Sequence, residues 1–279
     1  MADDGEAAPP GAAGLFDRVA DTYDQVGVPW FGPIAEGLVE QLAPRSGEHA
    51  LDVGCGRGAV LLPLARAVGA DGSAVGIDLA PRMVAAAAQA ARAEQLHHVD
   101  VRVGDASAPE VPARSFDLVA SSLVLFFLPD PLAAVRAWVQ LLRPGGRLGV
   151  STFGPNDPLW DRVDAVFAPY LPPGLRDART SGTRGPFGSD EGMEQLLAAA
   201  GLRAVRTVGT TCPVVLAGAD HWYEFSWSHG QRAMWEAVPP ERREEVRAAA
   251  YAVLEEGRRA DGSIRFEQHV RYTLGSAPP

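Results

Sequence analysis

The segment Leu51-Asp52-Val53-Gly54-Cys55-Gly56-Arg57-Gly58 constrains this chain more than any other. A short apolar run, His49 to Val53, ends in alternating glycines, and a helix-forming stretch from Ala59 to Val68 follows. Glycines at a strand-to-helix turn let backbone approach a ligand closely, and the helix start offers unpaired N–H groups. The rhythm then repeats. A strand from Ala74 to Ile77 ends in Asp78 and leads to an Ala-rich helix, Pro81 to Gln95, with Pro81 suited to its first turn. A third strand, Val99 to Val103, ends in Gly104-Asp105, and a fourth runs from Phe116 to Ser121. A helix from Pro131 to Leu142, a turn at Arg143-Pro144-Gly145-Gly146 and a fifth strand, Arg147 to Thr152, complete the series. Such alternation predicts a parallel sheet covered on both faces, a doubly wound Rossmann-like α/β fold.

The flanks are less regular. Residues 1–14 are acidic and rich in Ala, Pro and Gly, and are expected to form a disordered tail without the basic start of a signal peptide. From Leu15 to Leu42 the pattern is helical, interrupted at Gly27-Val28-Pro29 and Gly32-Pro33. Past Thr152, a Pro/Gly-rich stretch with aromatics precedes a helix, Asp190 to Ala200, and a β-branched run, Ala204 to Leu216. A helical insert, Asp220 to Arg259, comes before a last strand, Ser263 to Leu274, and the two last strands are expected to pair antiparallel at the sheet edge. The expected organisation is one domain over residues 15–279. Residues 15–45 form N-terminal lid helices, 46–152 a ligand-binding core, and 153–279 a substrate side with a helical cap at about 219–259. The sheet is expected to be seven-stranded and mostly parallel, with an antiparallel last strand.

Composition removes several chemistries. All 25 basic residues are arginine, so no lysine is present for a Schiff base or a P-loop. A net charge of −10 is unsuited to nucleic acid or anionic lipid. Two distant cysteines, Cys55 and Cys212, form neither a disulfide framework nor a thiolate metal site, and no metal is expected. No apolar run reaches the roughly 20 residues that span a bilayer. A cytoplasmic protein, monomeric or homodimeric, is expected.

By itself Gly54-x-Gly56-x-x-Ala59 also satisfies a dinucleotide fingerprint. Asp52 separates the readings, because a carboxylate two residues before the first glycine repels a pyrophosphate and suits a cation such as an amino-acid ammonium. Asp78 is placed to accept from a ribose diol and Asp105 from an exocyclic amine. Each acid alone is equally a solvated loop carboxylate or a helix N-cap. Three at successive strand ends, where open α/β sheets bind ligands, form a pattern.

That arrangement resembles the class I S-adenosylmethionine-dependent methyltransferases, in the branch of the ubiquinone/menaquinone-biosynthesis C-methyltransferases. The matching segments are Asp17 to Asp24, Leu51 to Gly58, Val75 to Ala80 with Met83, Gly104-Asp105-Ala106, Ser115 to Val119 and Leu142 to Gly146. The resemblance implies S-adenosylmethionine as cofactor. Its methionine part would lie on Asp52, Gly54, Cys55 and Gly56, with Ser121 and Ser122 alongside. Asp78 would hold the ribose, Leu79 and Met83 would pack near the adenine, and Gly104, Asp105 and Ala106 would hold the adenine edge. Tyr23 would close over the sulfonium. For Met83, Leu79 and Phe16, ordinary packing is an equal reading.

The acceptor side is read from aromatic content. Trp222, Phe225 and His229 fall at i, i+3 and i+7, one helical face, with Trp227 nearby. With Phe126 and Trp160 they suggest an apolar, aromatic acceptor pocket, or else a cap docked on the sheet. The candidate bases are His229, His221, Glu224 and Tyr23, with His229 preferred. His49, His97 and His98 lie at the wrong end of the strands, and Arg57, Arg136 and Arg143 read as solvated. The expected activity is methyl transfer to an apolar or aromatic, possibly isoprenoid, small molecule of bacterial specialised metabolism. The alternatives are a protein that binds the cofactor but catalyses a cyclisation or only binds, and a nicotinamide dehydrogenase.

Overall fold

The computed structural model describes residues 11–172 and 185–279. Residues 1–10 of the expected tail lie outside the described residues, but 11–14 are helical: α1 spans Gly11–Val19. Its partner α2, Phe31–Leu42, buries Ile34, Ala35, Leu38 and Leu42 on the i, i+4, i+8 face that the sequence periodicity anticipates. Then come β1 (His49–Val53), α3 (Leu61–Val68), β2 (Ser73–Asp78), α4 (Pro81–Ala93), β3 (Val99–Val103), β4 (Phe116–Ser122), α5 (Pro131–Leu141) and β5 (Leu142–Phe153). The second half holds α6 (Pro158–Ala165), α7 (Asp190–Ala199), β6 (Arg203–Leu216), α8 (Ala219–Trp227), α9 (Arg232–Ala237), α10 (Arg243–Glu256) and β7 (Ile264–Ser276).

The seven strands form one sheet in the order β3-β2-β1-β4-β5-β7-β6. β1 pairs in parallel with both β2 and β4, with Leu51 opposite Val75 on one side and Val119 on the other. Strand order reverses there, so the carboxyl ends of β1 and β4 diverge and leave the crevice in which such sheets bind ligands. β7 is antiparallel to both β5 and β6 and lies between them, which leaves β6 at the edge. Arg143-Pro144-Gly145-Gly146 is not a turn before β5. It lies inside that strand as an irregularity where the pairing with β4 shifts register, with Gly145 at φ 75°.

Both faces of the sheet are covered, which explains the near-continuous apolar runs of β1 and β4. One core gathers Leu38, Leu42, Leu61 and Leu64 from α2 and α3 with the cap residues Trp222, Phe225 and Trp235. The other gathers Trp138 from α5 and Met193 and Leu197 from α7 around Leu51, Val53, Val119 and Val150. Polar caps set the helix starts. Asp130 accepts from the Ala133 amide at 2.9 Å and Ser189 from the Gly192 amide at 3.0 Å.

The lid is held from three sides. The Asp17 carboxylate accepts from the Arg82 amide at 2.8 Å, and Arg82 also pairs with Asp21. The Arg57 guanidinium donates to the Ala20 carbonyl, so this arginine is not merely solvated but ties the glycine loop to the lid. On the far side Arg18 makes a two-pronged contact with Glu236 of α9, 3.1 Å through Nε and 2.6 Å through Nη2.

Candidate functional site

Three glycines shape the turn after β1. Gly54, Gly56 and Gly58 all have positive φ, at 74°, 51° and 97°. A Cβ on Gly54 would stand 2.3 Å from Val124 Cγ2, whereas one on Gly56 would project into empty space. The first glycine is therefore needed for packing, and the second leaves room for a guest. The amides of Gly54 and Cys55 both donate to the Ile77 carbonyl, at 2.8 and 2.9 Å, which pins the turn to β2.

Asp52 lies beneath this turn at 1% exposure, and neither carboxylate oxygen has a hydrogen-bond partner. Burial and then the nearby Asp78 push its acid constant up to about 8, with the Leu61 amide pulling the other way. An orphaned, buried carboxyl of this kind is costly unless a cation meets it. The ammonium of an amino-acid ligand supplies such a cation, so the site fits the methionine end of S-adenosylmethionine.

Asp78 closes the loop from the next strand. One oxygen accepts from the Gly56 amide at 2.8 Å and the other from the Ala80 amide at 2.9 Å. Burial still raises its acid constant despite those amides. Beyond it the ends of β2 and β3 form an open rim. Leu79 is 51% exposed there, Gly104 donates to the Asp78 carbonyl, and the exposed Asp105 accepts from the Ser107 amide. The Ala106 carbonyl is held by the Trp138 indole at 2.7 Å. An exposed leucine next to a solvent-facing carboxylate suits a flat heterocycle with an exocyclic amine.

Three of the expected cofactor residues also make contacts within the protein. Met83 is buried against Val19, Ala20 and Ala80, with Phe16 and Tyr23 at the edge, so it anchors the lid to α4. The Ser121 hydroxyl donates to the Val53 carbonyl at 2.8 Å and knits β4 to β1, while Ser122 lines the cavity. The Cys55 thiol is buried, its acid constant pushed far up by burial, and its Sγ fills the space left by Gly76. Only its backbone serves the loop.

Two cavities meet above the sheet. One, of about 240 Å³, is bounded by Asp52, Gly54 to Val60, Ser122 and the lid residues Tyr23 and Asp24. The other, of about 440 Å³, is walled by Leu15, Phe16, Trp30, Phe126, Phe153, Trp160 and Met234. Tyr23, Phe31 and Leu123 line both. Tyr23 stacks on Phe31 with centroids 4.3 Å apart. Burial, and then Asp24 and Asp78, raise its phenol well above its ordinary value, which favours the protonated form.

Of the other proposed bases, only His229 reaches the larger cavity. It does so because α8 ends at Trp227, where the Ser228 hydroxyl turns back to the Phe225 carbonyl at 2.7 Å. His229 is thus not on the Trp222–Phe225 helical face. Its Nδ1 accepts from the Gln231 amide at 3.3 Å, which leaves the proton on Nε2 of the neutral ring. His221 is engaged at both nitrogens, by the Ala217 amide at 3.1 Å and the Val26 carbonyl at 2.7 Å, and fastens the cap to the lid. Glu224 is exposed and borders neither cavity.

The aromatic prediction divides in the same way. Phe126 and Trp160 line the larger cavity. Trp222 and Trp227 pack on Trp235 inside the cap, at 5.9 Å each. Phe225 backs the wall, 5.2 Å from Trp30 and 4.4 Å from His229. The sequence reading missed Trp30, Phe31 and Phe153, which carry much of the apolar lining, and the polar Asn156, Gln231 and Gln268. For all but Gln268, which lies inside β7, the signal was position near the start or end of a helix or strand.

Comparison with known proteins agrees with this geometry. Residues 51–150 match a family described as a methyltransferase domain. Over 276 residues, covering 95% of this chain and 98% of the relative, the sequence is 38% identical to a nocamycin O-methyltransferase of Saccharothrix syringae. It is 41% identical to aklanonic acid methyltransferase DauC of Streptomyces sp. strain C5 over 160 residues, 57% of this chain and 73% of that one. A demethylmenaquinone methyltransferase of Listeria monocytogenes is 26% identical over 168 residues, 57% of this chain and 69% of the relative. Among solved structures, the YcgJ protein of Bacillus subtilis shares the fold at a TM-score of 0.60 and 19% identity, over 88% of this chain and 99% of that one. The nocamycin and aklanonic acid relatives are both methyltransferases, which disfavours the cyclase, binding-only and dehydrogenase alternatives. The chain belongs to the S-adenosylmethionine-dependent methyltransferases of bacterial specialised metabolism.

Proposed function

We propose that the acceptor is a flat, largely apolar small molecule bound in the 440 Å³ cavity, and that an oxygen of it receives the methyl group. The observation that carries this reading is the junction of the two cavities at Tyr23, Phe31 and Leu123. Among the described residues, these three alone line both the cofactor side and the aromatic chamber. The choice of oxygen is supported by the O-methyltransferase relative that matches along nearly the whole chain.

S-adenosylmethionine, when bound, supplies an electrophilic methyl group on a sulfonium, so the protein's task is alignment and exclusion of water. Asp52 and the glycine turn hold the amino-acid end, and Asp78 the ribose. Tyr23 and Phe31 cover the junction as one stacked pair. Trp30, Phe126, Phe153 and Trp160 sandwich the acceptor's ring system. His229 donates from Nε2 to the acceptor oxygen and holds it in line, a positioning role in place of the proton abstraction expected from sequence.

The test is turnover with S-adenosylmethionine and a panel of aromatic acids, phenols and amines, read as S-adenosylhomocysteine formed and a 14 Da mass gain. Products methylated on oxygen, with a raised KM in Trp160→Ala, are expected. Methylation of amines alone, or a Trp160→Ala enzyme with unchanged KM, would refute the reading.

A further inference from the structure

The smaller cavity carries a second carboxylate that the amino-acid end of the cofactor does not need. Asp24 lies in the lid directly after Tyr23, half-buried, and lines the same cavity as Asp52. Its backbone is left-handed, at φ 57°, a strained conformation for a side-chain-bearing residue that Asp and Asn tolerate best. Burial raises its acid constant, while the amides of Phe31 and Trp30 and the Arg57 guanidinium favour the charged form. The neighbouring Tyr23 stacks on Phe31, which places Asp24 beside the start of α2 and the Trp30–Phe31 wall of the acceptor chamber. Asp52 is a second, independent mark that this cavity awaits positive charge, being buried and without partners.

S-adenosylmethionine brings two cationic centres, the ammonium and the sulfonium. We propose that Asp52 answers the ammonium and that Asp24 recognises the sulfonium, so that the lid senses the charge that methyl transfer removes. In the reaction a lone pair of the already ionised acceptor oxygen forms the new O–C bond, so no proton has to leave. The electrons of the broken C–S bond remain on sulfur, which becomes a neutral thioether. Asp24 then keeps only the Arg57 guanidinium as counter-charge, while Asp52 keeps the ammonium. The Tyr23–Asp24 segment is held less firmly over the product than over the substrate, which favours release of the demethylated cofactor. This inference rests on the assignment of the smaller cavity to S-adenosylmethionine.

Three ligands separate the two acids. S-adenosylmethionine carries both charges, sinefungin replaces the sulfonium with an amine-bearing carbon, and S-adenosylhomocysteine has the ammonium alone. Titration calorimetry on the full chain should show that Asp24→Asn weakens the first two about tenfold and the third less than twofold, as expected for loss of one half-buried charge pair. Asn keeps the left-handed backbone, so the variant isolates the charge. An equal loss for all three ligands, or none, overturns the proposal. The unmutated protein gives an independent reading, because equal affinity for S-adenosylmethionine and S-adenosylhomocysteine also overturns it. Failure to bind any of the three would instead overturn the cofactor assignment beneath it.

Discussion

Asp52 makes cofactor affinity depend on pH near neutrality, well above the window in which an ordinary aspartate titrates. With its acid constant near 8, the buried carboxyl is mostly protonated at neutral pH. Pairing with a ligand ammonium requires the carboxylate, so binding expels a proton. Between pH 8 and pH 6 the ionised fraction falls about fiftyfold, which corresponds to about 2.3 kcal/mol of binding free energy. Affinity for S-adenosylmethionine should therefore fall with decreasing pH, approaching about tenfold per pH unit below about pH 7. Near pH 8 the ligand's own amine begins to lose its proton, so the informative window is roughly pH 5.5 to 7.5. Calorimetry at pH 6.5 in two buffers of different ionisation enthalpy counts the proton directly. About one released per ligand is expected for the natural chain, and none for Asp52→Asn, whose weaker affinity should be flat with pH. A flat profile with no proton released by the natural chain would refute the orphaned-carboxyl argument.

Other expectations follow from the same geometry. Without ligand, the folded chain binds a proton at Asp52 that the unfolded chain releases above about pH 4, so stability drains away as pH rises towards 8. Asp52→Asn should accordingly raise the ligand-free Tm more at pH 8 than at pH 5; a uniform or absent gain would contradict this. Since His229 acts as a donor, His229→Gln should keep kcat within about threefold, whereas His229→Ala should lose about ten- to a hundredfold, the range of one hydrogen bond to a charged oxygen. Equal losses in both variants, with activity falling in acid, would return the residue to the role of base. Gly54→Ala places a methyl group 2.3 Å from Val124 Cγ2 at a φ of 74°. It should weaken S-adenosylmethionine by at least about tenfold and lower Tm by a few degrees, roughly 1–3 kcal/mol of strain; unchanged affinity would show that the turn adapts.

The cofactor half was legible because its signals are local. Asp52, Gly54, Asp78 and Asp105 each sit at the end of a strand whose apolar run announces it, and strand order then brings those ends together. The acceptor half was not. Its chamber draws Phe16 from α1, Trp30 from the start of α2, Phe153 from the end of β5 and Met234 from α9, positions far apart in sequence. Aromatic spacing in the cap pointed to a helical face, yet Trp222 and Trp227 face Trp235 within the cap itself. Periodicity records which residues share a face but not what that face meets. His229 entered the site only because the helix stopped before it, an event decided by a single serine hydroxyl.

The placement of β7 carries a consequence for folding order. β5 and β6 do not pair with each other; β5 pairs with β4 on one side, and its other edge and β6 both pair with residues 264–276. Until that segment arrives, two long strands present open backbone edges, and the cap of α8 to α10 must already have formed for the chain to return between them. The chain's slowest pairing thus closes its most aggregation-prone surfaces. A nick between Arg259 and Ile264 that released β7 would leave a cofactor core intact in its parallel strands but carrying two adhesive edges.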